Sequence, residues 1–236
     1  MNVLLLAAGL GTRLRPITNS IPKCLVPIHG KPLLAYWLDT LLKSSVDKVL
    51  INTHYFSEAV ESFCKSSPWS SRIKLVYEPV LLGTAGTIVK NLDFFNKEDF
   101  GVIHADNLSS LQWSGFADAH FNRPTNCNMT MMLFETDDPQ SCGIVELSPQ
   151  KIVTNFHEKA KDPPGNLANG AVYIFSPEVF SALSPFHNIS DISTELLPHN
   201  LGKIFTYINS GYHRDIGTPQ SLAKAHLEFT SHNQAL

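Results

Sequence analysis

The sequence predicts an α/β fold, a mostly parallel sheet with helices on both faces. Three observations lead there. Short apolar runs alternate with helical patterns through the first half of the 236 residues, in the order of βαβα units. The first run, Val3-Leu4-Leu5-Leu6-Ala7-Ala8, opens directly into a glycine-rich segment, Gly9-Leu10-Gly11. Hydrophobic residues make up 43% of the chain against 17% charged, enough apolar material for a real core.

In chain order, residues 3–8 read as a buried strand. Residues 32–42 read as a helix, because Leu34, Trp37, Leu38 and Leu41 recur at helical spacing. Residues 49–52 are a strand and 58–64 a helix. Residues 73–77 are a strand, 84–92 a helix and 100–105 a further strand. Sheets of this kind place ligands at the carboxyl ends of their strands, so the loops after Ala8 and Ala105 are the first places to look for a site.

The second half differs. Residues 129–134, 144–147, 152–156, 171–175 and 204–207 read as strands. Turn residues separate them, such as Asp137-Asp138-Pro139 and Lys161-Asp162-Pro163-Pro164-Gly165. Helices are expected near Pro177 and at Ser190-Asp191. A last one follows Thr218-Pro219, with Thr as N-cap and Pro at the first helical position. No repeat, low-complexity tract or long linker interrupts the chain. Residues 1–236 therefore read as one domain, with halves at 1–125 and 126–236.

A net charge of −3 offers no basic face to nucleic acid or to an anionic membrane, so an anionic substrate would be met by a few local cations. No apolar run approaches the roughly 18 residues of a membrane span. The N-terminus lacks the basic region of a signal peptide, so residues 3–8 are expected to be a strand and not a leader. Cys24, Cys64, Cys127 and Cys142 are widely spaced and form no C-x-x-C pair. They suit a reduced, cytoplasmic protein with buried thiols better than a disulfide or zinc framework.

A strand followed by glycines suggests phosphate binding. The dinucleotide fingerprint needs a third glycine where this chain has Leu14, and the P-loop needs a G-K-[ST] that is absent. What stands is Gly9-Leu10-Gly11-Thr12-Arg13, then Pro22-Lys23-Cys24-Leu25-Val26-Pro27. Glycines let the backbone approach phosphate, and successive N–H groups can form an anion nest. The Thr12 hydroxyl adds a donor, Arg13 a planar fork and Lys23 a compact second cation. A tight turn with two solvated cations is the alternative, and it would be preferred for a lone G-x-G.

The combination L-A-A-G-x-G-T-R-L-x-P-x-T with P-K-x-L-V-P-I is similar to the signature of the sugar-phosphate nucleotidylyltransferases. That family includes glucose-1-phosphate thymidylyl-, mannose-1-phosphate guanylyl- and heptose-1-phosphate guanylyltransferases. The resemblance runs from Met1 to about Leu227. It implies a Rossmann-like, GT-A-like sheet, with residues 1–125 as the nucleotide-binding half. Residues 126–236 would be a mixed β insertion that binds the sugar phosphate. It places the triphosphate against Leu6, Ala8, Gly9, Gly11 and Thr12, with Arg13 on the departing pyrophosphate and Lys23 near the α-phosphate. Leu82-Gly83-Thr84-Ala85-Gly86 resembles the family element that lies against the base, so Gly83, Thr84 and Ala85 are expected there. Glu78, otherwise a solvated loop carboxylate, is expected to approach the base as well.

The same resemblance assigns Mg²⁺ to Asp106 and Asp215. Read alone, Asp106 fits a turn aspartate and Asp215, in Asp215-Ile216-Gly217-Thr218-Pro219, a helix cap. The family glycine before the first aspartate is Ala105 here, preceded by His104, and the added methyl is expected to narrow the pocket or shift Asp106. Cys142-Gly143-Ile144-Val145-Glu146 resembles Y-G-V-V-E with cysteine replacing the aromatic. Phe156-His157-Glu158-Lys159 resembles F-x-E-K, and Asn169-Gly170 begins a stretch similar to N-A/G-G-I-Y. These imply sugar-phosphate contacts from Gly143, Glu158, Lys159, Asn169 and Asp215. Without the family, Glu158 and Lys159 read as a surface ion pair and Asn169 as a turn residue. Asn52-Thr53-His54-Tyr55 is similar to a stretch of the mannose guanylyl branch, with His54 read as structural.

No hexapeptide repeats are seen, so the left-handed helical tail of longer members is expected to be absent. Short mannose-1-phosphate or heptose-1-phosphate guanylyltransferases are the expected match. Uridylyltransferases acting on N-acetylmuramate 1-phosphate compete. The expected activity moves a nucleoside monophosphate, guanylate first, onto a sugar 1-phosphate in the cytoplasm. Mg²⁺ is the cofactor and the state a monomer or homodimer, with no nucleic-acid or membrane partner. A non-catalytic nucleotide-sugar sensor and a phosphocholine-type cytidylyltransferase are the rival readings.

Overall fold

A computed structural model describes residues 1–181 and 189–233. The chain forms two compact units. The first gathers Met1–Leu81, Ile103–Trp113 and the stretch from Gly211 onward; the second gathers Leu82–Val102 and Ser114–Ser210. The expected boundary at residue 125 does not coincide with them. Residues 82–102 and 114–125 pack in the second unit, and the chain returns to the first after Ser210.

The first unit carries the parallel strands. Val3–Leu6 pairs in parallel with Val49–Thr53, Leu6 opposite Asn52, and Val49–Thr53 pairs in parallel with Ile73–Tyr77. The strand Phe100–His104 ends in this unit, and beyond it the Ala105 N–H donates to the Leu6 carbonyl at 3.0 Å. Helix Leu33–Leu42 buries Leu33, Leu34, Trp37, Leu38, Leu41 and Leu42, the face its spacing predicts. Helix Pro219–Asn233 starts where expected: the Thr218 hydroxyl accepts the Ser221 N–H at 3.1 Å, as an N-cap does. Its Leu222, Ala225 and Phe229 pack with Leu14, Val26, Ile28 and Ile216.

Two features were not anticipated from sequence. Asn107–Ser109 and His213–Asp215 form a short antiparallel ladder, with Asp215 opposite Asn107. Helix Trp113–Phe121 follows it.

The second unit holds a mixed sheet. Met129–Glu135 pairs antiparallel with Leu167–Phe175 and parallel with Ile204–Ile208. Gly143–Leu147 pairs antiparallel with Val153–Glu158, Gly143 opposite Glu158. Helix Gly83–Lys90 also lies here. The helix expected at Ser190-Asp191 begins there: Asp191 caps it, its carboxylate accepting the Thr194 N–H at 2.9 Å, and a wide turn, Ile192–Leu196, runs on into Leu197–His199.

Candidate active site

In the first unit the glycine segment leaves the sheet after Leu6 and turns at Gly11, whose φ of 62° is left-handed. A Cβ there would meet Thr18 Cγ2 at 3.0 Å and Lys23 Cβ at 3.3 Å, so both conformation and space favour glycine. The Thr18 hydroxyl donates to the Gly11 carbonyl at 2.7 Å, fixing the turn from the next segment. Thr12–Leu14 follow as a single 3₁₀ turn that plants Leu14 in the core and leaves Thr12 and Arg13 exposed.

Lys23 sits in another short turn, Lys23–Leu25, after the extended Pro22. Its ammonium lies 2.9 Å from Asp106 Oδ2 and 2.7 Å from Asp215 Oδ1, a cation bridging two carboxylates. The reason they meet is the unforeseen ladder: Asp215 opposes Asn107, the residue after Asp106. The Ile216 N–H also reaches the Asp106 carbonyl at 3.3 Å. Arg13 Nη2 stands 3.6 Å from Asp215 Oδ2, with 66% of its side chain exposed against 9% for Lys23. Burial alone would depress the Lys23 pKa, but Asp106 and Asp215 outweigh it and hold the ammonium above its ordinary value. Desolvation likewise opposes ionisation of Asp106, and the Lys23 charge outweighs it, so this carboxyl stays below the usual range.

Ala105, where the family has glycine, is fully buried with its N–H paired to Leu6, so its methyl adds no exposed surface. Glu78 is not a solvated loop carboxylate. Only 3% of it is exposed, and its Oε1 accepts from Asn52 Nδ2 at 2.9 Å. The His54 ring donates from Nδ1 to the Glu78 carbonyl at 2.7 Å, since a carbonyl can only accept.

In the second unit, Gly83, Thr84 and Ala85 open a helix. The Thr84 hydroxyl accepts the Ile192 N–H at 2.8 Å and faces Asp191 Oδ2 at 3.3 Å, and the Ala85 N–H donates to the Ser190 carbonyl at 3.0 Å. The Thr84 hydroxyl and the Ala85 N–H are thus engaged within the unit, where they seat the element expected to lie against a base.

Gly143 and Glu158 are opposite in register, and a Cβ on Gly143 would overlap the Phe156 ring and lie 2.7 Å from Glu158 Oε2. The glycine thus makes room for the carboxylate. Lys159 Nζ is 3.5 Å from Glu158 Oε1 and 65% exposed. Asn169 donates to the Tyr173 hydroxyl at 2.7 Å and accepts the Ala171 N–H at 2.9 Å, across an irregularity in the ladder. Its amide is oriented by the fold.

Among the described residues no three His, Cys, Asp or Glu side chains cluster as a metal site, and no helix is long and apolar enough to cross a membrane. The four cysteines are free thiols.

A family model described as nucleotidyl transferase matches residues 2–232. A mannose-1-phosphate guanylyltransferase of Mycobacterium tuberculosis is 30% identical over 229 residues, covering 95% of this chain and 63% of that protein. A Xenopus laevis mannose-1-phosphate guanyltransferase beta-B is 30% identical over 227 residues, covering 93% and 62%. The chain thus spans somewhat under two thirds of the length of these curated relatives. Among solved structures, HddC from Yersinia pseudotuberculosis complexed with GMP-PN superposes with a TM-score of 0.80 at 27% identity, covering 97% of this chain and 99% of that one.

Proposed function

The chain belongs to the nucleotidyl transferase family, and on that premise we propose that it transfers a nucleoside monophosphate from a triphosphate, GTP first, to a sugar 1-phosphate of the mannose or heptose type, releasing pyrophosphate. The observation that carries the reading is the Lys23 ammonium held between Asp106 and Asp215, with Arg13 beside Asp215. The guanine preference is supported by the names of the two guanylyl relatives and by the GMP-PN in the HddC complex. A cytoplasmic setting, where nucleoside triphosphates are available, accompanies this reading.

Asp106 and Asp215 present an all-oxygen pair already sharing one cation, which fits the hard-cation preference of Mg²⁺. They would hold the metal, which supplies Lewis acidity and alignment of phosphate oxygens when bound. The chain's own groups do the rest. A sugar-phosphate oxygen forms a bond to the α-phosphorus while the bond to pyrophosphate breaks, so atoms and charge balance without a general base. The attacking oxygen is already ionised. Lys23 would face charge growing around the α-phosphorus, and Arg13, exposed enough to follow it, the departing pyrophosphate. Glu158, given room by Gly143, would accept sugar hydroxyls, with Lys159 near the sugar phosphate and Asn169 beside the ring.

Pyrophosphate release from four triphosphates against mannose, glucose, heptose and N-acetylmuramate 1-phosphates tests the reading. The highest turnover is expected with GTP and mannose or heptose 1-phosphate. Arg13→Ala and Asp106→Asn should each lower kcat by about 10²-fold or more without loss of folding. Near-normal turnover in either would remove that residue from the mechanism.

A further inference from the structure

We propose that Asn52 and Glu78 are positioning residues for the glycine segment, a buried two-residue relay that fixes the backbone from which the phosphate cradle begins. The inference rests on reading Gly9 to Arg13 as that cradle.

The strand Val3–Leu6 pairs with Val49–Thr53 up to Leu6 opposite Asn52, and there the pairing stops. Ala7 is the first residue past the strand. Its N–H donates to the side-chain oxygen of Asn52 at 2.7 Å, so a side chain extends by one residue a ladder the backbone has ended. The other end of the Asn52 amide donates to Glu78 Oε1 at 2.9 Å. Both residues are 3% exposed.

Hydrogen-bond logic fixes every orientation. The Ala7 N–H can only donate, so the Asn52 carbonyl must face it. The Glu78 carboxylate can only accept, so the Asn52 NH₂ must face that way. The carboxylate therefore selects the amide orientation that holds Ala7. Glu78 is itself pinned: its N–H donates to the Thr53 carbonyl at 2.9 Å and its carbonyl accepts from His54. Three neighbouring strand ends are thus tied by one polar chain, and the glycine segment leaves from its last link. A displacement of about 1 Å at such a point is enough to weaken a positioned site by about 10²-fold.

A pattern of single and paired exchanges tests this. Glu78→Ala removes the group that orients Asn52. Asn52→Asp sets a carboxylate against Glu78. The double exchange Asn52→Asp with Glu78→Gln restores the pattern with donor and acceptor exchanged: the new carboxylate at position 52 accepts from both the Ala7 N–H and the glutamine amide. Two readouts are needed, the triphosphate and sugar-phosphate KM values and the amide exchange rate of Ala7, alongside a melting curve.

The expected result is a triphosphate KM raised about tenfold or more in each single variant, with the sugar-phosphate KM within about twofold. Ala7 exchange should quicken in both, and the double exchange should bring KM and exchange back toward the parent. A triphosphate KM within about twofold of the parent in Glu78→Ala, or no recovery in the double exchange, overturns the relay while leaving the site reading intact. If no triphosphate and sugar-phosphate pair turns over, the site reading fails. Ala7 exchange then decides: quickened in the single variants and restored in the double, the relay stands; unchanged, it falls.

Discussion

Gly83 and Gly202 have nearly the same left-handed backbone, φ of 78° and 79°, in very different surroundings. A Cβ on Gly202 meets nothing within 4 Å, whereas one on Gly83 would overlap the Ser190 backbone oxygen and lie 3.0 Å from its carbonyl carbon. Alanine at either position incurs the left-handed penalty, roughly 1–2 kcal/mol. The loss of unfolded-chain entropy is also common to both. At Gly83 alone the methyl strikes backbone, which cannot rotate away, adding about 1–3 kcal/mol of overpacking. At about 2–4 °C per kcal/mol for a chain of this size, Gly83→Ala should melt about 2–12 °C below Gly202→Ala. Calorimetry on the two variants and the parent reads this directly. Equal melting temperatures for the two would refute the claim that the start of helix Gly83–Lys90 is seated against Ser190 by backbone contact.

Removing the Lys23 charge should expose the two carboxylates to metal: Lys23→Met is expected to bind Mn²⁺ about tenfold or more tightly than the parent without nucleotide, since a charged hydrogen bond is worth about 1.5–3 kcal/mol. Titration by electron paramagnetic resonance checks it, and unchanged affinity would dismiss the shared seat. His120, wholly buried, accepts from Thr130 at 2.8 Å and donates to Asp99 at 3.1 Å. Burial chiefly depresses its pKa below the ordinary 6.5, so on acidification the unfolded chain takes up the proton first. Stability should therefore fall as pH drops through about 6.5 and downward, and urea titrations from about pH 7.5 to 5.5 should show a slope that His120→Gln flattens. Gly143→Ala should raise the sugar-phosphate KM by displacing Glu158 while leaving the triphosphate KM nearly unchanged; the reverse split would remove Glu158 from the sugar side.

Regular elements were legible because periodicity is a local signal. Strand Ile73–Tyr77 matches its expected bounds, and Leu33–Leu42 buries the face its spacing predicts. The His213–Asp215 and Asn107–Ser109 ladder was not legible: three-residue strands carry no usable period, and their partners lie over 100 residues apart. That ladder nonetheless brings Asp106 and Asp215 together, which only the family resemblance had suggested. Glu78, read alone, is a solvated carboxylate just past a strand, and only the resemblance draws it toward a base; that Asn52 pairs with it is not visible in sequence. The partners of the Thr84 hydroxyl, Asp191 and Ile192, are likewise hidden from sequence, lying over 100 residues away.

The charges of the first unit's cluster explain why such a site would depend on more than its side chains. Arg13 and Lys23 are offset by Asp106 and Asp215, so the four formal charges cancel. A triphosphate, carrying several negative charges, would therefore gain little from long-range attraction to this cluster. Its binding would come from backbone N–H groups of the glycine segment and from whatever cation it brings to the two carboxylates. The two basic residues then divide by their freedom. Lys23 is buried and held between the two carboxylates, so it starts from an ordered position that a metal on those oxygens would shift. Arg13 is two-thirds exposed and held by one long contact, so it must be ordered when ligand arrives. Raising the ionic strength should accordingly weaken the contribution of Arg13 more than that of Lys23, because only the exposed guanidinium is well screened. The effect of Arg13→Ala on kcat/KM should shrink with added salt, while that of Lys23→Met should hold; parallel salt dependence would show that burial does not separate their roles.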